Sequence, residues 1–203
     1  LLNEGRVRAE RASDRILLGR IENNIGIVHH LAGRYESALE CFRQALSIRQ
    51  GLGYQMGSVV NLHNIGDAHF CLGDRSRAWA AFHQSRDLAE QMDWRPGVLM
   101  NDVFLAYLES AEEPDVSLRR LKMAISHSDS MLIHDTRISS RWLMGRLLKD
   151  QGQVDEAVAV WNEADERVCC TACVFTEDLD RDQGSESASP ADSVNVGADI
   201  SSM

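Results

Sequence analysis

Asn24-Ile25-Gly26 recurs forty residues later as Asn64-Ile65-Gly66, and this self-similarity constrains the chain more than any other feature. The same shift of 40 carries Gly33 to Gly73, Ala38 to Ala78 and Phe42 to Phe82. A further 79 residues on stand Gly145, Gly152, Ala157 and Trp161, four positions that agree on one offset. That offset is two repeats less one residue. In the gap, Ala106 takes the place of Gly66. With the deletion put in the following turn, Glu112-Glu113-Pro114-Asp115, residues Ser117, Leu121 and Ala124 match Ala78, Phe82 and Ser85. The chain then divides into four units, about 15–52, 53–93, 94–132 and 133–174. The end of an earlier repeat helix precedes them in 1–14, and a tail follows in 175–203.

Each unit mixes small and large apolar residues at helical spacing. Helices are expected at about 15–31, 35–50, 55–71, 75–91, 96–110, 115–128, 136–150 and 154–170. Gly26, Gly66 and Gly145 fall inside the first helix of a unit. A helix-interior glycine costs about 1 kcal/mol relative to alanine. Its return at one register therefore implies close packing against the second helix, where Ala38, Ala78 and Ala157 are small. Phe42, Phe82 and Trp161 then fill the space one turn later. Gly33, Gly73 and Gly152 suit the left-handed position that ends the first helix. No hairpin of this kind buries its apolar surface alone, so neighbours must stack.

Charge and cysteine usage narrow the functional classes. The formal net charge is −10, and residues 174–203 contribute −6 of it through seven acidic residues and one arginine. Neither part carries the basic stripe that phosphate-backbone binding needs. No apolar run approaches the roughly 20 residues of a membrane span. The first residues have no signal-peptide shape and no initiator methionine, so the chain is expected to be part of a longer one. Of five cysteines, three cluster at Cys169, Cys170 and Cys173, which is no disulfide framework. A reducing, cytoplasmic setting is expected. The tail is rich in Ser, Asp, Ala and Gly, has no aromatic after Phe175, and is expected to be disordered.

The order small-Gly, turn-Gly, Ala, aromatic resembles the tetratricopeptide repeat, most closely in NNIGIVHHLAGRYESALECFRQAL and HNIGDAHFCLGDRSRAWAAFHQS. The 40-residue period is similar to the longer variant of kinesin light chains and of bacterial regulators and kinases. The resemblance covers about residues 15–170 and is weakest in the third unit. It implies an all-α fold, a right-handed superhelical solenoid of antiparallel hairpins whose first helices line a concave groove.

On that resemblance, counting from the helix glycine, the groove positions are Arg20, Asn23, Asn24, Ile27 and His30, then His63, Asn64, Asp67 and Phe70. The third unit offers Val103 and Tyr107, and the fourth Trp142, Arg146 and Lys149. The resemblance implies that Asn24 and Asn64, each just before Ile-Gly, hydrogen-bond a bound peptide backbone. An amide both donates and accepts, so it reads an extended chain without reading its side chains. Bridging of neighbouring helices is the alternative for this pair. Trp142 is a groove hot-spot candidate that also stands near the core register. Clamps for a C-terminal carboxylate in this family use a lysine and an asparagine where this chain has Asn23 and Ile27, so that ligand is disfavoured.

No catalytic constellation is present: there is no phosphate loop, no H-E-x-x-H and no G-x-S-x-G. His30, His63, Cys41 and Cys71 lie near one another in repeat register, but none shows a known ligand spacing. A helical repeat is expected to scatter them, so no metal and no cofactor are expected. Cys170 and Cys173 form a C-x-x-C without the context of a redox or zinc motif. The expected function is a protein- or peptide-binding scaffold, not an enzyme. Its expected setting is the C-terminal part of a bacterial multidomain signalling or transcriptional regulator or kinase. The alternative is a spacer that self-associates through its solenoid ends.

Overall fold

The computed structural model describes residues 2–131 and 134–164. The expected helix end at 165–170, the cysteines at 169, 170 and 173, and the tail lie outside the described residues. Among the described residues the secondary structure is helical: α1 (Leu2–Arg11), α2 (Arg15–Leu31), α3 (Tyr35–Gly51), α4 (Gln55–Cys71), α5 (Arg75–Gln91), α6 (Arg95–Leu108), α7 (Pro114–Met131), α8 (His134–Asp150) and α9 (Val154–Asn162). Each helix packs on the next in sequence, as antiparallel neighbours do. The arrangement is a solenoid of helix hairpins.

The glycine–aromatic pairing is direct. A Cβ on Gly26 would stand 2.5 Å from the Phe42 ring, and one on Gly66 would stand 2.7 Å from the Phe82 ring. Gly145 meets the Trp161 indole in the same way. The missing side chain thus admits a ring rather than a helix backbone. Ala38, Ala78 and Ala157, one turn before each ring, are fully buried. Phe82 also stacks on Phe104 at 4.7 Å, which ties its hairpin to the next.

A second period of 40 escaped the sequence reading. Tyr54 and Trp94 fold over Gly57 and Gly97, where any Cβ would collide with the aromatic ring. Arg49 is buried beside the first of these and donates to the Gly57 carbonyl at 2.8 Å. The turns before α2, α4 and α6 share a left-handed residue at Ser13, Gly53 and Asp93, with φ of 55°, 67° and 53°. The turns within hairpins place Gly33, Gly73 and Gly152 at φ of 69°, 76° and 79°.

The third unit departs from the pattern. The deletion was expected in its turn, yet that turn has five residues, 109–113, against three in 32–34 and 72–74. Helix α6 gives up the length instead, at 14 residues against 17 for α4. No glycine is available there to close the usual left-handed end. The helix stops early, and Ser110 Oγ caps the Tyr107 carbonyl at 2.7 Å. Pro114 then opens α7, where its missing N–H goes unneeded. Helix α7 runs past its expected end at 128. Ser128 and Ser130 return their hydroxyls to the carbonyls three residues back, at 3.0 and 2.8 Å, so a serine-rich stretch stays helical.

Candidate binding face on the first helices

The first helices of the hairpins are α2, α4, α6 and α8, and side chains at matching positions form rungs from one to the next. One rung is polar at its start. Asn23, buried on α2, accepts from Asn61 Nδ2 at 2.9 Å and from Asn64 Nδ2 at 3.1 Å, both on α4. Asn24 is exposed, and its Oδ1 lies 3.5 Å from Asn23 Nδ2. Asn64 is half-buried. The two asparagines before Ile-Gly therefore flank one amide cluster, with a buried neighbour to orient them.

His63 sits deeper. Its Nδ1 lies 3.1 Å from Asn101 Oδ1. Its ring packs at 5.3 Å from both Phe82 and Phe104. Burial pulls this imidazole down to about 4, against the smaller help of the Asn101 hydrogen bond, so it is neutral at pH 7. Asn101 Nδ2 donates to Ser85 Oγ at 2.9 Å and to the Gly97 carbonyl at 2.7 Å. Asn61 and Asn101, both fully buried, were missed as polar anchors. The 40-residue shift that relates them was the available signal.

Asp67 is buried, and its Oδ2 lies 3.2 Å from His30 Nε2. Burial pushes the Asp67 carboxyl up to about 7 and pulls His30 below its ordinary value. The contact favours opposite charges, whereas burial favours neutrality for both. Burial is the larger effect on both groups, so it raises the Asp67 carboxyl and lowers the His30 imidazole. Cys71 Sγ lies 3.6 Å from the same Nε2. The expectation that repeats scatter these residues is corrected for His30 and Cys71, which one turn of α4 brings against the end of α2. Cys41 stands apart, beside the cluster of Ala9, Ile21 and Ile25.

The far end of the face is aromatic and cationic. Tyr107 and Trp142 are buried, and the Arg146 guanidinium lies 5.8 Å from each ring centre, within cation–π range. Trp142 stands 5.8 Å from Trp161, whose Nε1 donates to the Trp142 carbonyl at 3.2 Å. Phe70 meets the Tyr107 edge at 5.7 Å. The structure thus gathers Asn23 with Asn64, and Tyr107 with Trp142 and Arg146. Ile27 is half-buried against the Ala38–Phe42 cluster. No helix among the described residues is long and apolar enough to cross a membrane.

A tetratricopeptide repeat family model matches residues 9–91. No curated protein matches the chain by sequence. Among solved structures, BtubC (BKLC) from P. vanneervenii is similar over 98% of this chain and 78% of that one, at 18% identity and a TM-score of 0.60. Two crystal structures of the nearly identical TPR-like repeats of a protein described as a kinesin light chain, from Podosopora anserina, are also similar. They are 14% identical, cover 88% and 87% of this chain and 85% of that one, and give TM-scores of 0.56 and 0.54. At such identities the likeness is one of fold. Residues 9–91 thus match tetratricopeptide repeats, and the fold of the described residues is similar to that of TPR-like repeat proteins.

Proposed function

We propose that the first-helix face binds an extended segment of a partner protein. Repeats of this family generally mediate protein–protein contact, and the fold is typically a scaffold without catalysis. The observation that carries the reading is the amide cluster on α2 and α4. Asn24 and Asn64 reach solvent, while buried Asn23 holds Asn64 in place. Amides so positioned offer a passing backbone both a donor and an acceptor, at little ordering cost on binding. At the other end, Arg146 over Tyr107 and Trp142 suits an acidic or aromatic side chain of the same segment. We take the binding unit to be four hairpins, about 15–52, 53–93, 94–132 and 133–174, acting in the cytoplasm as the interaction part of a bacterial multidomain regulator or kinase.

The test is a pull-down with the full chain beside the Asn24→Ala/Asn64→Ala double variant, both checked for helix content by circular dichroism. A partner held by the first and lost by the second supports the groove. A partner held equally by both places its contact elsewhere. Capture by neither, with size rising with concentration in sedimentation, favours the self-associating spacer instead.

A further inference from the structure

His30, Asp67 and Cys71 converge although they come from neighbouring hairpins. Asp67 and Cys71 are four residues apart on α4, so they share one side of the helix. His30 comes from the last turn of α2. Their nitrogen, oxygen and sulfur atoms all lie within 4.8 Å of one another. Both the Asp67 oxygen, at 3.2 Å, and the Cys71 sulfur, at 3.6 Å, approach the same His30 nitrogen. A neutral imidazole nitrogen holds one proton or one lone pair. The two neighbours therefore compete for a single hydrogen-bonding position.

A divalent cation removes that competition. Tetrahedral zinc, with bonds of about 2.0–2.2 Å to nitrogen and oxygen and about 2.3 Å to sulfur, sets ligand edges near 3.4 Å for N···O and 3.6 Å for N···S. Two of the three edges, N···O and N···S, stand at 3.2 and 3.6 Å, and the O···S edge is within 4.8 Å. A mixed imidazole, carboxylate and thiolate set selects zinc-like metals over magnesium or calcium. The cation would also balance the carboxylate and thiolate charges that burial of Asp67 and partial burial of Cys71 otherwise oppose. Cys71 keeps partial exposure, which gives an ion a route in.

We propose that His30 Nε2, the Asp67 carboxylate and Cys71 Sγ form a three-ligand site for a zinc-class divalent cation, with water in the fourth position. The site goes beyond the groove reading and stands without it. It joins α2 to α4 and would fix two hairpins against each other.

Cobalt(II) is the probe, added to the full chain carrying Cys169→Ser, Cys170→Ser and Cys173→Ser, so that those thiols cannot compete. The expected result is saturable binding with the visible bands of a tetrahedral site and a thiolate-to-metal charge-transfer band. Cys71→Ser removes that band, and Cys41→Ser keeps it. His30→Ala and Asp67→Asn weaken binding by at least about tenfold, since even outer-shell partners are worth that much. Circular dichroism is recorded for every variant, and Cys71→Ser, the smallest change, decides the matter if His30→Ala loses helix. No saturable binding, or an unchanged band in Cys71→Ser, overturns the site.

Discussion

Position for position, α2 and α4 carry Asn24 and Asn64 where α6 and α8 carry Phe104 and Leu143. Phe104 and Leu143 are buried, and Phe104 lies in the stack with Phe82 and Phe70. Asn24 is exposed and Asn64 half-buried at the same rung. One backbone position therefore accepts either an amide or a large apolar group without loss of the repeat. Asn64 does bridge α4 to buried Asn23 of α2, the structural role named as the alternative. Exposed Asn24 contacts only its own neighbour Asn23 among the hydrogen bonds described, so the proposed binding role is strongest at Asn24. The inner supports differ as well. Glycine under an aromatic ring sets the crossing in α2–α3, α4–α5 and α8–α9, whereas Ala106 and Leu121 hold the matching positions in α6–α7.

The largest effect that probes this contrast comes from the ring itself. Phe82→Ala should cost about 3–5 kcal/mol, and Leu121→Ala about 2–5 kcal/mol, read by urea unfolding. Because Phe82 also stacks on Phe104, its loss should loosen the next hairpin too, visible as faster amide exchange in α6. Equal effects confined to each hairpin would erase the distinction drawn between the two kinds of crossing.

Acid is the next lever, and it acts on the polar half. His63 stays neutral in the fold down to about pH 4, while the unfolded chain takes up a proton near pH 6.5. Its contribution should therefore be lost as pH falls from about 6.5 and level off near 4, by on the order of 3 kcal/mol at most. Asn101 is its hydrogen-bonding neighbour, and His30 is the nearby titratable group that lowers it further. Comparing unfolding free energies with His63→Gln over that range isolates the effect. A parallel pH profile in the variant would mean that His63 takes up its proton equally in the folded and the unfolded chain.

Asn101→Ala should cost about 1–3 kcal/mol, because it removes the bonds to the Ser85 hydroxyl, the Gly97 carbonyl and His63 together, while Ser85 keeps its bond to the Val59 carbonyl. The contrast between crossings can also be reversed. Ala106→Gly and Leu121→Phe should each destabilise alone, by about 1 and about 1–3 kcal/mol. Together they should lose less than their sum, with a coupling of about 0.5–2 kcal/mol, as the third unit takes on the glycine–ring form. Strict additivity in thermal unfolding would show that the third crossing has no room for a ring. Smallest is Asp74→Ala, which removes the cap on Arg77 N at 3.1 Å and should cost about 1 kcal/mol by the same assay.

Much of the fold was legible because the period is stated in residues that are hard to substitute. Gly26, Gly66, Phe42 and Phe82 obey steric limits, so their recurrence transmits the helix positions of α2–α5 nearly residue for residue. The ends of α6 and α7 were less legible. They depend on which serine hydroxyl meets which carbonyl, a local contest that composition does not reveal. The candidate site was legible as a set of positions on the first helices. What joins them was not. The Asn23–Asn61–Asn64 cluster and the His30–Asp67–Cys71 group depend on the sideways offset of α4 against α2, which no spacing within one helix encodes.

The short α6 and its long turn have a wider consequence. The loss of one residue is settled between Arg95 and Pro114, and α8 and α9 then resume the spacing of glycine and ring. The turn behaves as an expansion joint: a change in length enters there and does not propagate as a phase error through the later helices. An array built this way can gain or lose residues at such joints while every hairpin downstream keeps its face.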